Sequence, residues 1–221
     1  MAQGVGWPSS MPAHGPLTGF SHGTAGIAWA LLELAEVSGD SRYRRTALDA
    51  LTYERSLFSA QEENWPDLRL DEQAPNQGSA GGAPEYGMAW CHGAPGIGLG
   101  RLGVLRHVDD AVTREEIEAA LRTTLAQGFG HNHTLCHGDL GNLELILEAG
   151  EVLDDPRWRA ERDRLAASIL ESTRRDGWRC AIPFNVETPG LMTGLAGIGY
   201  GLLRLADPRQ VPSVLLLASP F

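Results

Sequence analysis

Cysteine and histidine stand side by side twice in this sequence, in Cys91-His92-Gly93 and again, 45 residues later, in Cys136-His137-Gly138. Thiolate and imidazole are the donors that zinc takes in tetrahedral sites, and a catalytic site leaves one position open. Cys91 and Cys136 with one of the two histidines would supply three ligands. The spacing matches no zinc finger, so the chain between the triplets must fold to bring them together. The bland reading is two buried cysteines with histidines that cap glycine turns. The third cysteine, Cys180, lies outside the triplets and reads as a core residue. Ser21-His22-Gly23 fills the same slot without a sulfur, which makes His22 a candidate general acid or base facing the metal. His131 and His133 read as loop residues ahead of the second triplet.

Other chemistries fit less well. A single Cys–His nucleophile leaves the second sulfur unexplained. A glycosidase needs two facing carboxylates, and Asp139 is the one acid at a glycine turn. A phosphate-binding loop needs a lysine after its glycines, and none is there. The net charge of −10 excludes the basic footprint of a nucleic-acid binder. No apolar run approaches the ~18 residues of a membrane span. The N-terminal stretch has neither the charged start nor the apolar core of a signal peptide, and an odd count of three cysteines in a long chain suits a reducing compartment. These features lead us to expect a cytoplasmic globular protein with no membrane span.

The elements that would position these residues follow from a repeat. Four segments share Gly-x-x-Gly followed by an apolar run, with first glycines at Gly23, Gly93, Gly138 and Gly194. Self-similarity at a loose period of this size marks a repeat architecture. Each copy reads as a loop running into a helix buried on most sides. Between the copies lie amphipathic helices. One opens at Asp40 or Ser41, one at a Thr113/Glu116 capping box and closes at Gly128, and one runs through Trp158, Leu165 and Ile169. The order predicts inner and outer helices in a curved α/α array, with the glycine turns converging at one end. Residues 62–88 read as a long loop, residues 177–190 as a short extended excursion, and residues 211–221 as an apolar tail.

Five stretches carry a resemblance. GFSHGTAGIAWALLELA (19–35), NWPDLR (64–69), AWCHGAPGIGLGRL (89–102), LCHGDLGNLELIL (135–147) and GLMTGLAGIGYGLLRLADP (190–208) resemble the lanthionine synthetase C-like cyclase domain, most closely the C-terminal part of a bifunctional class II lanthipeptide synthetase. The resemblance spans residues 1–221 and implies an all-α fold, an α/α toroid, here an incomplete ring of about four repeats. It implies that the earlier repeats and the dehydratase domain are absent from this chain. It implies Zn2+ held by Cys91, Cys136 and His137, with His22 as acid/base. His92, Asp139 and Asn142 are candidates to support these groups or meet the substrate. The implied reaction forms a C–S bond. A cysteine thiol of a dehydrated precursor peptide, leader plus core, adds to dehydroalanine or dehydrobutyrine and closes a (methyl)lanthionine ring. A separate dehydratase or N-terminal portion is an expected partner. The alternative is an incompetent fragment that binds peptide through a zinc-containing module.

Overall fold

The computed structural model describes residues 3–70 and 85–219. Seven α-helices form there: α1 (Thr24–Ser38), α2 (Ser41–Arg55), α3 (Ala94–Val104), α4 (Ala111–Gln127), α5 (Asp139–Val152), α6 (Pro156–Asp176) and α7 (Leu195–Ala206). A single 3₁₀ turn covers Pro183–Asn185. Among the described residues there is no strand, only isolated bridges such as Ala13 to Arg69 and Met88 to Gly93. No described helix is long and apolar enough to cross a membrane. Residues 71–84 of the expected long loop lie outside the described residues.

The outer helices start on acceptor side chains. Asp40 caps α2 by accepting from Arg42 N at 2.9 Å, and Asp155 caps α6 through Arg157 N at 2.9 Å. The expected capping box at Thr113 is a correction. Helix α4 begins at Ala111, and Asp110 accepts from Thr113 N at 2.7 Å. A carboxylate three residues upstream competes for that N–H, and Ala111 and Val112 extend the helix without cost. The Thr113 hydroxyl instead accepts from Arg55 Nη2 at 2.7 Å.

The inner helices start differently. Their N-caps are Gly23, Gly93, Gly138 and Gly194, with no side-chain cap. The loop ahead supplies the missing acceptors: Thr24 N donates to Leu17 O, Asp139 N to Asn132 O and Leu195 N to Thr188 O, at 2.7–2.9 Å. This wrap explains the Gly-x-x-Gly motif. At the second glycine of each copy, a Cβ would lie 1.7–2.1 Å from the carbonyl oxygen six residues earlier: Phe20 for Gly26, Trp90 for Gly96, Leu135 for Gly141 and Leu191 for Gly197. Any side chain there expels the loop.

Helices α1, α3, α5 and α7 pack in sequence as an inner row, and α2, α4 and α6 back the inner helix that each follows. Ile97, Leu99, Leu121, Leu145 and Ile146 are fully buried between the layers. The apolar tail tucks in as turns rather than a strand. Leu215 and Leu216 are buried, and their carbonyls accept from the Trp90 and Trp29 indoles at 3.2 and 3.0 Å. Cys180 is core, as its place outside the triplets predicts.

Candidate metal centre

The four glycine turns are joined by one repeated backbone bond. Ser21 N donates to Cys91 O at 3.3 Å, Cys91 N to Cys136 O at 3.3 Å, and Cys136 N to Met192 O at 2.9 Å. Each bond links the residue two before the first glycine to its counterpart in the next copy. The turns therefore lie side by side at one end of the inner row, and residues far apart in sequence become neighbours.

This line of turns brings Cys91 Sγ, Cys136 Sγ and a ring nitrogen of His137 within 4.8 Å of one another. Bond lengths of about 2.0–2.3 Å to a tetrahedral zinc place ligand atoms roughly 3.3–3.8 Å apart, so the cluster is close to the size the ion needs. The donor set also suits the ion chemically. Cys91 donates its S–H toward Cys136, and this bond, together with the hydrogen bond and charge of His137, lowers the Cys136 thiol to about 5. The same bond, with burial, raises the Cys91 thiol. Bonding to the Cys136 sulfur raises the His137 imidazole. A thiolate gathered by two donors is the arrangement that a cation replaces. The two sulfurs are half-buried and His137 is exposed, so one side faces solvent. Glu33, Glu36 and His107 form a second compact group, but Arg106 pairs with Glu33 there and no thiolate is present.

His22 is outside the triad and exposed. Its ring stacks on that of His92, with centroids 5.9 Å apart and planes 25° apart, and its charge lowers the Cys136 thiol. His92 is buried, and neither ring nitrogen has a hydrogen-bond partner among the described residues. Burial pushes its imidazole below the usual range. Asp139 and Asn142 act on the loops. The Asp139 carboxylate accepts from Gly130 N and His131 N, both at 3.1 Å. Asn142 Nδ2 donates to Met88 O at 3.0 Å and to Gly128 O at 2.7 Å, tying together the approaches to Cys91 and Cys136. His133, buried, accepts from Arg179 N at 3.0 Å and fixes the same approach.

Glu54 and Arg101 hold the His22 turn from behind. Glu54 Oε1 accepts from Gly19 N at 3.0 Å, and Glu54 is paired with Arg101, both fully buried. Arg101 also bonds Glu116 Oε2 at 2.8 Å. Asp67 and Arg69 lie on the segment between the first two repeats and carry no signal in the triplets or the repeat. The Arg69 charge acts on Cys91, and both sulfurs act on Arg69.

Comparison with known proteins identifies the family and the fold. The family model described as "Lanthionine synthetase C-like protein" matches residues 1–216. The lacticin 481/lactococcin biosynthesis protein LcnDR2 of Lactococcus lactis subsp. lactis is 26% identical over 212 residues, covering 90% of this chain and 22% of that protein. Glutathione S-transferase LANCL1 of Danio rerio is 28% identical over 199 residues, covering 87% of this chain and 44% of that protein. A structure of nisin cyclase, 19% identical, superposes with a TM-score of 0.68 over 91% of this chain and 50% of that chain. That likeness establishes the fold as an arc of an α/α toroid. The chain spans half or less of the length of each relative. The match along nearly the whole sequence, on turns that converge as the repeat requires, places this chain in the lanthionine synthetase C-like family.

Proposed function

We propose that the chain carries the zinc centre of a lanthipeptide cyclase, with Cys91, Cys136 and His137 as the ligands and His22 as the proton donor. The observation that carries the reading is the backbone-linked row of turns, which gathers two sulfurs and an imidazole within 4.8 Å beside a free histidine. A zinc ion held there would lower the pKa of a peptide thiol and keep its sulfur nucleophilic at neutral pH. In the overall reaction the cysteine sulfur bonds to Cβ of a dehydroalanine or dehydrobutyrine, the π electrons move to Cα and the carbonyl oxygen, and Cα takes a proton. A ring nitrogen of exposed His22 delivers that proton. Buried His92 holds the His22 ring by stacking. Asn142 and Asp139 fix the two loops that present the sulfurs.

The substrate is a dehydrated precursor peptide, so a dehydrating activity, in a separate protein or an N-terminal portion, must act first on its serines and threonines. Residues 1–221 serve as cyclase-domain sequence, in a cytoplasmic setting that keeps Cys91, Cys136 and Cys180 as thiols. The second reading, a zinc-containing module that binds peptide without turnover, is favoured by one feature: His22 and His137 are exposed rather than enclosed. One experiment separates the two. Zinc-loaded protein is incubated with dehydrated peptide, and remaining thiols are alkylated and counted by mass spectrometry. Protected thiols support the cyclase, and full alkylation despite peptide binding supports the module. Zinc content unchanged in Cys136→Ala would remove the ligand assignment under either reading.

A further inference from the structure

A cavity of about 300 Å³ lies between α6 and the loop that leads to Cys136. Leu165 and Ile169 of α6 and Phe129 of the loop give it an apolar wall. Ser168, Ser172, Arg175 and Arg179 give it a polar one. That volume is at the lower end for ligand sites, and it suits one or two side chains rather than a folded element.

The chain is arranged to place Arg179 there. Helix α6 ends at Asp176, and Gly177 follows at φ +77°, a backbone that any side chain would strain. Two residues on, Arg179 N donates to the Nδ1 of buried His133 at 3.0 Å, and Arg179 O accepts from His133 N at 2.9 Å. Arg179 Nη2 donates to Ser172 Oγ at 3.2 Å, back on α6. Backbone and guanidinium are both held.

The charges on the walls are not equally engaged. Asp139 lines the cavity, but its carboxylate accepts from Gly130 N and His131 N, both at 3.1 Å. Glu171 faces Arg174 at 3.7 Å, and Arg175 pairs with Asp176 at 2.8 Å. Arg179 forms no ion pair among the described residues, and its buried Nε has no hydrogen-bond partner there. A buried donor without an acceptor is unfavourable, and a bound acceptor would relieve it. The acceptor that fits these walls carries one negative charge next to apolar carbon. A dianion such as phosphate would meet the carboxylates of Asp139 and Glu171 as well.

We propose that this cavity binds a carboxylate side chain of a peptide, with Arg179 receiving the carboxylate and Phe129, Leu165 and Ile169 receiving the apolar residue beside it. Phe129 and Gly130 belong to the loop that carries Cys136 and His137, so a peptide anchored here touches the loop that presents both. The precursor peptide as the source of the carboxylate rests on the cyclase reading; the carboxylate site does not.

Two measurements keep those apart. In the first, NMR follows the Arg179 Nε–H signal, identified by its loss in Arg179→Gln. The probes are the N-acetylated, C-amidated tripeptides Leu-Glu-Leu and Leu-Gln-Leu. Leu-Glu-Leu is expected to shift the signal and to bind about tenfold more tightly than Leu-Gln-Leu, the effect of one charged hydrogen bond. Followed by backbone amide signals, Arg179→Gln should remove that preference, and Arg174→Gln, outside the cavity, should keep it. Equal binding of the two tripeptides, no binding of either, an equal loss in Arg174→Gln, or tighter binding of inorganic phosphate overturns the site. In the second, zinc-loaded protein acts on a dehydrated precursor that contains Asp or Glu. Arg179→Gln is expected to raise the cyclisation KM about tenfold, with kcat and zinc content unchanged. An unchanged KM would overturn the precursor as the source. Wild-type protein that leaves every thiol unprotected would fail the cyclase reading, while the tripeptides still judge the cavity.

Discussion

Arg101→Met tests how the structure supports the His22 turn. Arg101 is fully buried on α3 between Glu54 at 3.0 Å and Glu116 at 2.8 Å. Glu116 keeps a second cation, Arg55 Nε at 3.2 Å. Glu54 does not, and retains only the Gly19 N–H at 3.0 Å. The cost therefore falls on Glu54, a fully buried carboxyl left without its ion partner, at about 3–5 kcal/mol. In a domain of this size that lowers Tm by roughly 6–20 °C. Burial already raises the Glu54 carboxyl, and Arg101 opposes that rise. Without Arg101 the folded value climbs further above the unfolded one. The folded state then binds the proton more tightly, so the variant's deficit shrinks as pH falls from 7 toward 5. Adding Glu54→Gln should recover most of the loss, because glutamine still accepts from Gly19 N and carries no charge. Urea unfolding followed by circular dichroism at pH 7 and pH 5, with metal loading fixed, measures all three proteins. A loss under about 1 kcal/mol, or a double variant no more stable than the single one, would refute the reasoning.

Three other outcomes follow from the geometry. His22→Asn should retain zinc and slow cyclisation by roughly 10²–10⁴-fold, and loss of zinc from that variant would show that His22 is a ligand instead. Gly93→Ala should displace the Cys91 turn, since Gly93 has φ +92° and a Cβ would lie 1.8 Å from Gly87 O. Strain of about 1–3 kcal/mol from the backbone alone, plus the clash, should appear in thermal unfolding together with weaker zinc binding. Glu148, facing Arg204 and Glu144, is raised by burial from 4.5 to about 7. Its folded value lies above the unfolded one, so its favourable contribution is lost as pH rises between about 4.5 and 7, by up to about 3 kcal/mol. Glu148→Gln should flatten that decline and exceed wild type in stability at pH 8; equal slopes in urea midpoints from pH 5 to 8 would count against it.

Most of the architecture was legible in the residues themselves. Gly-x-x-Gly before each apolar run marks the four inner helices, because only glycine leaves room for the carbonyl six residues back. Amphipathic spacing marks α2 and α6, and Asp40, one of the two caps read for α2, is the residue that caps it. Cys91, Cys136 and the histidines beside them announce themselves by type and triplet. The start of α4 was misjudged because two acceptors, Asp110 and Thr113, lie within one turn, and the choice between them depends on Arg55 claiming the Thr113 hydroxyl from another helix.

The sequence alone determined the repeat, the helical class and the donor set, because each depends on contacts within a few residues. Tertiary structure decided which groups meet. The bonds from Ser21 to Cys91 to Cys136 to Met192 align the turns, and only that alignment puts His137 with the two sulfurs while His92 is buried beneath His22. It also turned Asp139 and Asn142 to holding loops. Proximity of this kind is set by packing over separations of tens of residues, where neither periodicity nor local propensity constrains which side chains come together.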